Sequence, residues 1–102
     1  MNKLSIDEIF KLAIKYHKNK SFKKAQSLYK KVLNKNPNHI DACNNLGIVL
    51  KELGKVSEAI ILFQKVIKID QNHVYGLYNL GLAYKELEDY KNAILNFSKV
   101  IK

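Results

Sequence analysis

The stretch NLGIVLKELGKVSEAIILF, residues 45–63, returns 34 residues later as NLGLAYKELEDYKNAILNF, residues 79–97. Asn, Leu, Gly, the Lys-Glu-Leu triplet, Ala, Ile and Phe hold the same places in both copies. Between residues 40–68 and 74–102, 13 of 29 positions are identical. The first third is more diverged, yet residues 6–39 still match 40–73 at 10 of 34 positions. A fixed period of this size marks an architecture of stacked units, each too small to bury its own apolar face. The 102 residues divide into three such units at 6–39, 40–73 and 74–102, a single domain. Three is about the minimum for a stable array.

Each unit reads as two helices. In 5–18, Ile6, Ile9, Phe10, Leu12, Ala13, Ile14 and Tyr16 recur at helical spacing. Ser5 with Glu8 forms a capping-box pattern, so the helix starts near Ile6. Asn19-Lys20-Ser21 breaks it, with Ser21 as the expected cap of a second helix that buries Phe22, Ala25, Leu28, Tyr29, Val32 and Leu33. Asn36-Pro37-Asn38 ends that helix, because proline disfavours helix in the residue before it. Asn38 and Asn72 are the expected caps of the third and fifth helices. Gly54 suits a left-handed helix end, and Asp89 suits the N-cap of a sixth helix. That last helix is expected to bury Tyr90, Ala93, Ile94, Phe97, Val100 and Ile101. Small residues fall in columns: Ala13, Gly47 and Gly81 in one, Ala25, Ala59 and Ala93 in another. Paired helices approach closely where side chains are this small, and Tyr29, Phe63 and Phe97 fill the space beside them.

All 18 basic residues are Lys, and the net charge is +9. Ten lysines against two acids in residues 1–35 place +8 of it in the first unit. Lys20, Lys23, Lys24, Lys30, Lys31 and Lys35 cluster around its second helix. Nucleic acid or an anionic membrane could bind there, but the missing Arg argues against it, since bidentate phosphate recognition prefers guanidinium. A solubilising face is the plainer reading. Cys43 is alone, which excludes an internal disulfide or a cysteine metal cluster. No signal peptide or membrane-spanning run is present, and a cytoplasmic, reducing location is expected. His39 and His73 are equivalents one unit apart, too distant to share a metal. No phosphate loop, nucleophile motif or catalytic carboxylate pair is present. Neither a cofactor nor an enzymatic activity is expected.

Leu46, Gly47, Ala59 and Phe63, repeated as Leu80, Gly81, Ala93 and Phe97, resemble the tetratricopeptide repeat family. In the first unit the match is Leu12, Ala13, Tyr16, Ala25, Tyr29 and Pro37. The resemblance covers essentially the whole chain. Two departures are the early first-helix aromatic, here Ile9, Cys43 or Leu77, and the closing proline, kept only at Pro37. The resemblance implies an all-α, right-handed solenoid of three antiparallel helix-turn-helix repeats, six helices in all. It implies a concave groove, lined by the first helix of each repeat, that binds a protein or peptide without catalysis.

Projecting the helical period puts Phe10, Lys11, Ile14, Asp41, Asn44, Asn45, Ile48, Tyr75, Tyr78, Asn79 and Leu82 on that groove, flanked by Asp7, His17, Lys51 and Lys85. Asn45 and Asn79 share a column whose amides could hold an extended backbone, as in the O-linked N-acetylglucosamine transferase repeats they resemble. Lys11 breaks that ladder. The alternative is plain surface polarity or local packing. If the ladder holds, alanine at both sites weakens a groove ligand without lowering the melting temperature. A carboxylate clamp like that of chaperone-tail-binding members fits poorly, since only Asn45 matches it.

The family usually closes its last hairpin with a polar capping helix, and the sequence stops at Lys102, inside the expected sixth helix. Two expectations arise. The chain belongs to a longer protein, with a domain such as a transferase beyond it, or the open last repeat self-associates. Leu82, Ala83, Leu87, Ile94 and Ile101 are the residues expected at such a contact.

Overall fold

The 3.6-residue apolar period is realised as helix in all three units. The computed structural model describes residues 3–101. Its helices are α1 (Ile6–Lys18), α2 (Phe22–Lys35), α3 (Ile40–Glu52), α4 (Val56–Ile69), α5 (Val74–Glu86) and α6 (Tyr90–Val100), with no strand among the described residues. Each helix packs on its neighbours in sequence, giving three hairpins in a row within 51 × 25 × 18 Å. One core runs through the stack, from Ile9 and Ala13 past Tyr29, Val32, Leu46, Val49 and Phe63 to Leu80 and Ala83.

The small-residue columns sit at the tightest crossings. A Cβ at Gly47 would stand 2.4 Å from Phe63 Cε1, and one at Gly81 would stand 2.4 Å from Phe97 Cε1. Glycine therefore lets each aromatic ring lie directly on the backbone of its partner helix. Ala25, Ala59 and Ala93 are buried in the facing column.

The three intra-hairpin turns are one motif made three times. Lys20, Gly54 and Glu88 adopt φ of +62°, +79° and +61°. Behind them Ser21 N donates to Tyr16 O, Lys55 N to Leu50 O and Asp89 N to Tyr84 O. The residue before each donates to His17 O, Lys51 O and Lys85 O respectively. This paired closure is a Schellman turn, and only its middle copy has the glycine it favours.

Three caps differ from expectation. His39 and His73, not Asn38 and Asn72, cap α3 and α5, their Nδ1 atoms accepting from Ala42 N at 3.0 Å and Gly76 N at 2.8 Å. The asparagines lie one residue too early, inside Asx turns where Asn38 N and Asn72 N donate to Asn36 Oδ1 and Asp70 Oδ1. Ser21 sits at the N-cap of α2 but makes no side-chain bond there. The Ser5 and Asp89 caps form, the former as a full capping box. The Ser5 backbone N–H donates to Glu8 Oε1, and this bond, with the Ser5 side chain nearby, holds the Glu8 carboxyl below the usual range.

The expected stripe of α6 is only half realised. Ala93 is buried and Phe97 and Val100 are partly buried, but Tyr90, Ile94 and Ile101 are exposed. Ile94 is 67 % exposed, whereas its counterpart Ile60 on α4 is 8 % exposed. The difference is α5, which packs on α4; nothing in the described structure packs on the same side of α6.

Candidate functional site

Curvature follows from which helices meet across hairpins. α3 touches α5 directly, and neither α2 with α4 nor α4 with α6 makes a comparable contact. α3 and α5 thus crowd together on one side, whereas α1 with α3 makes no comparable contact. The crowded side is the face that the helical projection selects. Along it, side chains align in rows, one member per hairpin: Asp7, Asp41 and Tyr75; Phe10, Asn44 and Tyr78; Lys11, Asn45 and Asn79; Ile14, Ile48 and Leu82; His17, Lys51 and Lys85.

The rows differ in how far they reach solvent. Lys11, Asp41, Tyr75 and Tyr78 are exposed, Tyr75 by 72 %, while Ile14, Ile48 and Leu82 are half-buried. Phe10 is half-buried under His39 and Tyr29, with ring centroids 4.7 and 6.0 Å away. The Tyr78 ring lies 5.8 Å from that of Phe97. Lys51, Glu52, Leu82, Lys85 and Glu86 line an open depression of about 420 Å³ at one edge.

The asparagines are partly engaged within the stack. Asn44 is only 8 % exposed, and its Oδ1 accepts from Asn79 Nδ2 at 3.1 Å, tying α3 to α5. That bond uses one of the two donors on the Asn79 amide. Asn45 lies at the Tyr29 hydroxyl. Burial pushes this phenol up to about 12, and the Asn45 amide opposes that rise. The same hydroxyl is 3.1 Å from His17 Nδ1. Tyr29 therefore anchors a polar cluster beneath the face, reaching from α1 and α2 into α3. Sequence reasoning treated Tyr29 as plain core and missed this; a phenol where Phe63 and Phe97 stand in the other units is the signal that was available. Burial lowers the His17 pKa, against an upward pull from the Glu52 carboxylate.

Elsewhere the chemistry is sparse. Cys43 is buried, its thiol pushed up by burial, with Sγ 3.9 Å from Pro37 O. Among the described residues no group of three or more His, Cys, Asp or Glu could hold a metal, and no buried side-chain N or O lacks a partner. No described helix is long and apolar enough to cross a membrane. The six clustered lysines are all exposed, and Lys24 Nζ lies 5.3 Å from the centre of the Tyr16 ring. A cleft of about 470 Å³ beside them is lined by Lys23, Gln26, Ser27, Lys30, Leu53 and Lys55.

Comparison with known proteins agrees with this geometry. The tetratricopeptide repeat pattern matches residues 16–80 and, in a second version, residues 74–102. No curated protein sequence matches the chain. Among solved structures, YrrB, described as a TPR protein with an unusual peptide-binding site, superposes with a TM-score of 0.92 at 25 % identity, over 98 % of this chain and 52 % of that one. MamA superposes with a TM-score of 0.91 at 23 % identity, over 95 % of this chain and 57 % of that one. The chain thus spans about half the length of these structures.

Proposed function

The chain belongs to the tetratricopeptide repeat family, and on that premise we propose that it is a non-catalytic scaffold whose crowded face holds an extended segment of a protein partner. One observation carries the reading: direct contact between α3 and α5 joins short helices into one surface with a partly apolar floor. Ile14, Ile48 and Leu82 form that floor, and the exposed Tyr75 and Tyr78 rings stand at one end. Aromatic rings left open to water cost little to order on binding and commonly anchor protein partners. Asn79 contributes what its bond to Asn44 leaves over, one N–H and a carbonyl, and Asn45 adds its amide beside the Tyr29 hydroxyl. The peptide-binding site of YrrB, a structure of the same fold, supports the reading by analogy.

The local bonds change the choice of test. Alanine at Asn45 and Asn79 also removes inter-repeat contacts, so a loss of binding would be confounded by a loss of stability. Tyr75→Ser and Leu82→Lys alter the face while leaving the buried core intact. Peptides selected from a random displayed library on the wild-type chain are expected to lose at least about tenfold in affinity on either variant. Peptides indifferent to both, yet lost on Lys23→Ala with Lys30→Ala, would move the function to the basic cleft on α2 and overturn this reading.

A further inference from the structure

Two adjoining hollows open at the joint between the first and second hairpins. One, of about 470 Å³, lies between α2 and the α3–α4 turn. The other, of about 380 Å³, lies at the start of α2. Lys23 and Leu53 line both, so the two form one trough. Lys20, Lys23, Lys24, Lys30 and Lys55 stand around it, all exposed. Among the described residues no acid lines either part, and α2 contains none. Both walls lie well inside the described chain.

The repeat supplies an internal control. One unit on, the same five places hold Gly54, Ser57, Glu58, Gln64 and Asp89, none of them basic. α5 nevertheless packs on α4 as α3 packs on α2. The joint therefore forms without lysines. Gathering like charges around one hollow costs repulsion, which an anion placed among them relieves. Charge that served solubility alone would be better spread over the surface.

The lining chooses among anions. Phosphate is matched best by a guanidinium fork, and the chain has no Arg. Single-stranded nucleic acid needs free aromatic faces on which its bases stack. Here the rings are engaged: Phe22 is half-buried with the His17 ring 6.1 Å away, and Lys24 Nζ covers Tyr16 at 5.3 Å. An anionic membrane is held by apolar side chains that enter it, whereas Phe22 and Leu53 are half-buried within the trough. A carboxylate is satisfied by a single ammonium. Gln26 and Ser27 add an amide and a hydroxyl suited to a peptide backbone. We propose that the trough binds an extended acidic segment of a protein partner. Its Asp or Glu side chains meet the lysines, and an apolar side chain between them sits on Leu53. This site shares no residue with the face that α3 and α5 form.

The probe is a fluorescein-labelled peptide of sequence Glu-Asp-Glu-Leu-Asp-Glu-Asp. Titrated with the full chain at low salt and followed by anisotropy, it is expected to bind saturably, and more weakly as salt is raised. Lys23→Glu with Lys30→Glu should weaken binding by at least about tenfold. The circular-dichroism melt should not change, because both side chains are exposed. Lys68→Glu with Lys99→Glu makes the same change in net charge near the far ends of α4 and α6. That pair should weaken binding by less than about threefold. Absence of binding at low salt would overturn the proposal. Equal losses in the two double variants would also overturn it, since they would mean attraction to the net charge alone. So would equal binding of a peptide with Gln and Asn in place of the acids. Oligouridylate or phosphatidylserine vesicles that bind more tightly than the peptide, and are released by Lys23→Glu with Lys30→Glu, would assign the trough to nucleic acid or membrane and overturn it too.

Discussion

Replacing Gly47 with Ala sets two known effects against each other. In an isolated helix the change gains about 1 kcal/mol, because glycine is the weaker helix former. In this molecule the new methyl would lie 2.4, 2.8 and 2.9 Å from three carbons of the Phe63 ring. Carbon atoms pack at about 3.5–4.0 Å, so ring or helix has to shift by about 1 Å. Phe63 is fully buried between α3, α4 and α5 and has nowhere to go. Overpacking of this kind costs about 1–3 kcal/mol. The expected net change for Gly47→Ala is a loss of up to about 2 kcal/mol. At about 4–8 °C per kcal/mol for a chain this size, the melting temperature should fall by several degrees. Gly81→Ala is an internal control. Its methyl meets Phe97 at the same 2.4 Å, but Phe97 is only half-buried beside the open stripe and can swing aside. It should be near neutral. Thermal and urea melts of both variants by circular dichroism decide the matter. A Gly47→Ala protein no less stable than Gly81→Ala would refute the tight-crossing account. Gly47→Ala should also cost less in a Phe63→Leu background, where the ring is gone.

Four further outcomes are expected. Lys20→Gly and Glu88→Gly should each raise stability by about 0.5–1 kcal/mol in urea melts, since both residues hold a left-handed conformation that costs a side chain about 1–2 kcal/mol. His39→Ala should lose about 1 kcal/mol by removing the α3 cap, and His39→Asp should recover most of it. Asn44→Ala should lose about 1 kcal/mol by breaking the α3–α5 amide bond. Burial lowers the His17 pKa in the folded chain below the unfolded value of 6.5, so its contribution is complete above that pH. As pH falls through 6.5 toward the lower folded pKa, protonation favours the unfolded chain and the melting temperature should drop. His17→Gln should flatten that part of the profile.

Most of the fold is legible because it is written three times. One helical period is ambiguous, but agreement of Leu46 with Leu80, Gly47 with Gly81 and Phe63 with Phe97 fixes helix faces, crossings and breaks together. The caps were harder. Asn38 is a preferred cap residue by type and His39 is not, yet a shift of one residue decides which side chain reaches the free N–H. The face of the candidate site follows from periodicity, since spacing places residues around a helix. What those residues are free to do does not. Asn44 and Asn79 lie 35 positions apart, and their bond exists only because curvature brings α3 against α5. The polar cluster of His17, Tyr29 and Asn45 likewise joins three helices.

The sequence by itself determines the repeat, its six helices, their apolar faces and the close crossings at Gly47 and Gly81, because those depend on interactions repeated locally within each 34-residue unit. Only the tertiary structure decides which polar groups remain available and which apolar ones remain uncovered. Tyr90, Ile94 and Ile101 have the same pattern as the residues α5 covers on α4, and their exposure depends on whether a neighbouring helix is present, which no single unit encodes.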